Sequence, residues 1–409
     1  MNAQITTISG IVSLYIYNYN DKKIYLFGDR HFSRQGSCQE QGYKCDYFNP
    51  TFTKTFTYNT ECTTIGALLH NWLTYNNDHD IKTDFYIESF YTKENKRYSS
   101  QKFNTIIQER KQQNITNSLL IKSKNTDFYN KGWLELMVDV LNPCLVKDKT
   151  QCPFYPNVHV HYVDVRVIET NELVEVTPYS KSLLKQHINK VQTMSDFNII
   201  KDHIVTLFDF LIYYHQILFD VFFDIYGYQN LKKLNHMLFD EMDNSLNLLV
   251  VTRQINGKNI MMYKVAWELY KLSLIQPDLA DYIKTFIINK GYKIINDIKN
   301  TYKYDKLNLV DIDALNELIN QYDDLLLEIQ SLTMDAYTLA RLFYQQDNDE
   351  MIIYAGNYHI LTYVSFFNAI QLEQFIAYPY QGNRCVTHYA LPNYLNANIY
   401  RDYAINKHI

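Results

Sequence analysis

Residues 11–19 and 23–28 are dense in β-branched and aromatic side chains and are parted by Asn20-Asp21-Lys22. Two such runs around a turn-like break predict a hairpin, or two adjacent strands, ending at Gly28. Residues 33–60 hold Gly36, Gly42, Pro50 and many Tyr, Asn and Thr, and predict a long irregular excursion. In "CTTIGALLHNWLTYN", Ile65, Leu68, Leu69 and Trp72 recur at helical spacing, so a helix follows. "TDFYIES" predicts a short buried strand ending at Glu88. From Lys96 to about Leu141 the pattern is polar and helical, and Pro143 closes it. "NVHVHYVDVRVIET" alternates apolar and polar residues, as a half-buried strand does. The stretch from Lys181 to Tyr344 reads almost wholly as helix, and "EMIIYAGNYHILTYVSFFNAIQL" as strand, turn and helix.

A few strands scattered among helices predict an α/β (α+β) core carrying large helical insertions, with the strands ending in a shared site. No stretch is rich enough in Pro, Gly or Ser to mark a linker. The expectation is therefore a single domain over 1–409, interrupted by a cysteine-containing loop at 33–60 and by a helical insertion or cap at 181–345.

Composition narrows the function classes. The formal charge of -5 argues against a general nucleic-acid binder. The amino-terminal segment lacks the basic and unbroken apolar regions of a secretory signal, and no stretch supplies the roughly 20 apolar residues of a membrane span. The expectation is a soluble protein in the cytosol, acting on a small molecule or peptide. Six cysteines occur without a C-x-x-C pair, which gives little support to a structural zinc site. The 37 Tyr and 22 Phe beside only 11 Gly reflect an AT-rich coding bias and bear on source rather than on chemistry.

Where the strands end is informative. Gly28-Asp29-Arg30-His31 and Gly356-Asn357-Tyr358-His359 share the spacing G-x-x-H, and each follows a short apolar run. Glu88 falls at the end of a third strand. In open α/β sheets the ligand crevice lies at the carboxyl ends of the strands, so these three side chains are expected to converge there. Two neutral imidazoles and a carboxylate form a ligand set for a divalent ion with positions left open for water and substrate. Asn357 reads as an N-cap, which puts His359 in the first turn of a helix, where the dipole favours the neutral imidazole.

"GDRH", "YIE" and "GNYH" together resemble the superfamily of the TraB/PrgY proteins, the TIKI proteases, ChaN-like proteins and the erythromycin esterases. Its members pair an early and a late Gly-x-x-His with a glutamate after an intervening strand. The resemblance makes His31, Glu88 and His359 the central residues. It extends to Asp164 and Arg166 at the end of "HYVDVR", and it draws attention to Tyr337, Arg341 and Tyr344, which share a helix face. The tyrosine-rich composition and long helical middle look like divergent members encoded by giant DNA viruses. Here the first motif runs into a loop rather than a helix, and Asp29 stands where a small residue or glutamate is more usual.

The implied activity is that of a metal-dependent hydrolase, of peptidase or esterase type. A divalent ion (Mn, Co or Zn) on His31, Glu88 and His359 activates water, Arg166 stabilises the oxyanion, and Asp29 or Asp164 orients a histidine. In a metal-free variant, a histidine is the general base and Glu88 orients it. A second reading is a catalytically silent virion or interaction protein on the same fold. Asp29-x-His31 is also similar to the opening of calcineurin-like phosphoesterases, but their Gly-Asp-x-x-Asp and Gly-Asn-His-Glu motifs do not follow. His159 and His161 read as a half-exposed strand, Arg341 as a solvated helix face, and the aromatic stripes of residues 203–228 as helix packing.

Overall fold

The computed structural model describes residues 5–30, 62–90, 151–152, 155–165, 193–228, 250–301, 312–345, 347–380 and 385–389. The excursion at 33–60 and the polar helical pattern before Pro143 lie outside them. In chain order the first elements are β1 (Ile5–Ser9), β2 (Ser13–Tyr19), β3 (Lys22–Asp29), β4 (Cys62–Thr64), α1 (Ile65–Asp78), β5 (Thr83–Phe90), β6 (Gln151–Cys152) and β7 (Tyr155–Asp164). There follow α2 (Met194–Ile217), β8 (Val250–Ile255), β9 (Lys258–Tyr263), α3 (Lys264–Ser273), α4 (Pro277–Thr301) and α5 (Ile312–Tyr344). The chain closes with β10 (Glu350–Gly356), α6 (Asn357–Ala369), β11 (Glu373–Tyr378) and β12 (Cys385–Tyr389). A mixed parallel and antiparallel sheet is combined with helices, so the α/β expectation holds. No helix among the described residues is long and apolar enough to cross a membrane.

The chain divides into two compact units, Met1–Asp164 with Gln345–Ile409, and Val165–Tyr344. The first is built on a seven-stranded sheet in the order β11-β2-β3-β10-β5-β7-β6. Its centre is parallel: β10 lies between β3 and β5, and β5 pairs with β7. The edges are antiparallel, with β11 and β2 on one side and β6 on the other. Parallel strands buried on both faces require near-continuous apolar runs, and "IYLF", "FYI" and "MIIYA" supply them. The β2–β3 hairpin turns at Asn20, whose φ of 53° is one that asparagine tolerates better than most residues. A smaller sheet, β12-β1-β4, completes the unit.

Strand alternation divides the large sheet's side chains between two faces. On one, Tyr25, Phe27, Phe85, Ile87, Ile352 and Tyr354 pack with the apolar stripe of α1 that the periodicity predicts. Trp72 is fully buried there, edge-on to Tyr25 at 4.5 Å, and its indole donates to Glu350 Oε2 at 3.0 Å. On the other face α6 packs against β3 and β10. There Tyr17 meets Phe367 edge-on at 5.0 Å and its hydroxyl donates to Asn368 at 3.0 Å.

The second unit is mainly helical but departs from the almost wholly helical expectation. Residues 250–263 form a hairpin, turning at Asn256 (φ 50°) and Gly257 (φ 77°). An Asn-Gly pair with both residues at positive φ matches the twist of a two-residue hairpin, and here it overrides the helical periodicity around it. Ile255, Ile260 and Met262 then pack with Ala266 of α3. Helix α2 ends in one turn of π-helix, Leu218–Phe222. Leu211, Val221, Phe222 and Phe223 are buried, so the aromatic stripe is packing, as expected. His215 is buried between Phe219 and Tyr292, and its Nε2 occupies the space a Cβ on Gly291 would need.

Two outcomes follow. Trp72→Ala removes the largest buried side chain under the sheet and should cost about 3–5 kcal/mol in urea unfolding, whereas Trp72→Phe, which loses chiefly the indole hydrogen bond, should cost roughly 1–3. Burial pushes the His215 imidazole down from 6.5 to about 4, so the unfolded chain binds the proton more readily. Stability should therefore be intact above pH 6.5 and fall progressively as pH drops from 6.5 through 4. Urea midpoints across that window should show the loss in the native protein and a flatter profile in His215→Phe.

Candidate functional site

The carboxyl ends of β3, β10 and β5 come level because of their register, with Gly356 beside Asp29 and Tyr354 beside Ile87. Strand β10 passes into α6 with no intervening turn. Gly356 (φ -54°, ψ 142°) is the capping residue and makes no side-chain cap, and Asn357 is already helical. This corrects the expectation of Asn357 as N-cap. Its side chain faces β2 instead, where Oδ1 accepts from Ser13 Oγ at 2.5 Å. His359 keeps its expected place in the first helical turn, because the cap shifts by only one residue.

His359 and Glu88 meet. His359 Nε2 lies 3.6 Å from Glu88 Oε1, and both residues are buried, at 5% and 6% exposure. Glu88 Oε2 accepts the backbone N–H of Gly356 at 2.6 Å. A carboxylate taken out of water needs such donors, and the first N–H groups of a helix need acceptors. One carboxylate thus fixes the end of β5 to the point where β10 becomes α6.

Asp29 is also buried, but alternation puts it on the α1 face with Phe27, whereas Glu88 shares the opposite face with Asp84 and Tyr86. Asp29 Oδ1 accepts the Arg30 backbone N–H at 2.7 Å, and the Tyr354 hydroxyl donates to Oδ2 at 3.4 Å. Asp164 ends β7, is buried, and pairs with Phe90 across an irregularity in the ladder. His31 and Arg166 lie outside the described residues. Arg30, which the sequence analysis did not single out, is an exposed cation that precedes His31 in the chain. Its Nη1 donates to the Tyr380 hydroxyl at 2.5 Å, and its guanidinium lies 5.1 Å from that ring's centroid. Its place inside the first motif was the available signal.

A second polar cluster occupies the amino end of the sheet. Asp84 Oδ1 is 2.9 Å from His161 Nε2 and 3.4 Å from His159 Nδ1, while Asn348 donates to Oδ2 and Lys22 Nζ to Asn348 Oδ1 at 2.8 Å. Burial raises the Asp84 carboxyl, and the hydrogen bonds from His159, His161 and Asn348 more than offset that, holding it well below the usual range. The two histidines do share a strand face. The half-exposed reading holds for His159 alone, since His161 is 2% exposed and committed to Asp84. Asp84 precedes Glu88 by four residues of strand, about 13 Å, so the two clusters are separate.

Among the described residues, no group of three His, Cys, Asp or Glu side chains is placed to hold a metal ion. Glu88 and His359 offer two donors whose 3.6 Å separation is close to the roughly 3.3 Å between neighbouring ligands of a tetrahedral ion at about 2.0–2.1 Å. The separation of these two donors is thus compatible with a shared ion. No protein-family model, curated protein or solved structure matches the chain.

Glu88→Gln retains an oxygen able to accept the Gly356 N–H and should cost less than about 1 kcal/mol. Glu88→Ala leaves that N–H buried and unpaired and should cost about 1–3 kcal/mol. Chemical denaturation of the two variants against the native chain measures the difference.

Proposed function

We propose that the chain is a hydrolase of the peptidase or esterase type, in which His31, Glu88 and His359 act together on water, with a divalent ion as cofactor. The observation that carries this reading is the 3.6 Å approach of Glu88 and His359 at the carboxyl ends of parallel strands. These two residues are far apart in the chain, and the register of β10 with β3 puts Gly28 and Asp29 opposite Ala355 and Gly356. Both side chains are buried, a setting in which a carboxylate and an imidazole interact strongly. A bound divalent ion would lower the pKa of water and polarise a scissile carbonyl.

The protein's own residues have definable tasks. Glu88 is held by the Gly356 N–H through Oε2, which turns Oε1 toward His359. His359 is held in the first turn of α6 by that helix's buried face, where Ile360 and Tyr363 anchor it. Arg30, exposed just past the carboxyl end of β3, can hold a carboxylate or the developing oxyanion of a substrate, and Arg166 is a candidate for the same task. The Gly356–Glu88 bond equally favours the metal-free reading, because it orients Glu88 to fix His359 as a general base.

Metal analysis of the purified full chain and of His31→Ala, Glu88→Gln and His359→Ala, beside assays on ester and peptide substrates, tests the proposal. Stoichiometric metal in the native protein, lost in all three variants together with a fall in turnover of at least a hundredfold, is the expected result. Turnover without metal that is lost in Glu88→Gln and His359→Ala assigns the general-base form. Neither metal nor turnover, with all variants folded, would leave a silent interaction protein as the better description.

A further inference from the structure

Buried charge in the second unit is answered by opposite charge at two places. Glu268 of α3 has Oε2 2.5 Å from Lys271 Nζ and Oε1 3.9 Å from Arg341 Nη1 of α5. Lys290 Nζ of α4 lies 3.7 Å from Asp335 Oδ2 of α5. The solvated-face expectation for Arg341 is thereby corrected, since its side chain is 17% exposed. His215 of α2 stands in a different setting. It is 1% exposed, and its Nε2 is buried with no hydrogen-bond partner. A buried polar atom left bare in this way calls for a physical reason.

The imidazole lies edge-on to Phe219, one turn further along, at 4.5 Å between ring centroids, and tilted against Tyr292 of α4 at 5.2 Å. Its Nε2 is aimed at Gly291, where a Cβ would stand 2.2 Å from Nε2 and 3.0 Å from Phe219 Cζ. Glycine is therefore what lets α2 and α4 close around the ring. The next residue, Tyr292, is 53% exposed, so its ring covers the imidazole on the solvent side. Charged groups are turned elsewhere. Asp209, Asp220 and Asp224 beside His215 in the chain are exposed, as is Lys293 of α4. Lys290 of α4 acts on Glu328 and Asp335 of α5, and Tyr322 of α5 packs on Phe208. Burial alone is the cause of the lowered His215 pKa.

A neutral imidazole suits this niche, because the nitrogen without a proton can rest against the Gly291 Cα–H as a weak acceptor. An imidazolium does not suit it. It must place an N–H at Nε2 against the same Cα, with no acceptor and no counter-charge. We propose that His215 and Gly291 form an acid-sensitive latch between α2 and α4, whose protonation admits water past Tyr292 and opens this packing while the sheet of the first unit stays folded. The closed imidazole titrates near 4 and the open one near 6.5, so closure is intact above pH 6.5 and weakens as pH falls toward 4. Within that window the open population rises about tenfold per pH unit. This assignment stands independently of the hydrolase reading.

Amide hydrogen exchange on the full chain at pH 7 and pH 5, corrected for the intrinsic pH dependence of exchange, tests it. Amides of residues 208–223 and 283–295 should lose protection on the order of twentyfold at pH 5 relative to those of β3 and β10. His215→Phe should abolish that loss. Gly291→Ala, which puts a Cβ where Nε2 stands, should leave the same amides poorly protected at both pH values. An NMR titration of the His215 Cε1–H, with its midpoint near 4 in the native protein, should move toward 6.5 in Tyr292→Ala, which removes the cover. No loss of protection in the native protein, an equal loss throughout the chain, a loss that persists in His215→Phe, or an unshifted titration in Tyr292→Ala overturns the proposal.

Discussion

The rest of the first unit depends on the parallel pairing of β10 with β3 on one side and β5 on the other. Parallel neighbours cannot be joined by a tight turn, so a strand near the carboxyl terminus must cross back into the middle of a sheet begun near the amino terminus. Closing so long an excursion costs little more than closing a short one, because loop entropy grows only with the logarithm of length. Topology of this kind can carry Val165–Tyr344 as a separate compact unit between β7 and β10 without giving up the central pairing. It also makes the ends of three strands, distant in sequence, coincide at one edge.

At that edge the Glu88 carboxylate does the joining. It accepts the N–H of Gly356 and faces His359, so strand end, helix start and imidazole are fixed by one buried acid. Near its start the same strand carries Asp84, another buried acid on the same face, whose hydrogen bonds go to His161 and Asn348. Two acids four residues apart on β5 thus secure opposite ends of the sheet, each by answering a local need for buried hydrogen bonds. Glu350 does the same from the α1 face through Trp72 and Asn76, and burial raises its carboxyl even so.

Much of this was legible in the sequence where a single physical signal dominated. The apolar runs before Gly28, Glu88 and Gly356 marked strands and their ends, and Ile65, Leu68, Leu69 and Trp72 marked the face of α1, because burial imposes its period directly on residue type. Signals that compete locally were misread. Asn256-Gly257 announces a hairpin, but it sits among helices whose periodicity concealed it. Asn357 is a good capping residue by composition, yet Gly356 caps, because β10 must keep pairing with β3 up to that residue and the Asn357 side chain is claimed by Ser13. His161 looked half-exposed because alternation says which face a residue occupies but not what covers that face.

By itself the sequence determined the strands, the helix that follows the second motif, and the residue types able to perform acid–base or metal chemistry at the strand ends, since these follow from local pattern and side-chain inventory. Tertiary structure alone decided partnership: that Glu88 meets His359 while Asp29 turns to the other face, that Asp84 claims His161, and that Lys271 and Arg341 share the Glu268 carboxylate. The physical reason is common to all of these. A hydrogen bond or ion pair between residues remote in the chain is set by register and packing, and neither is written in the residues on its own two sides.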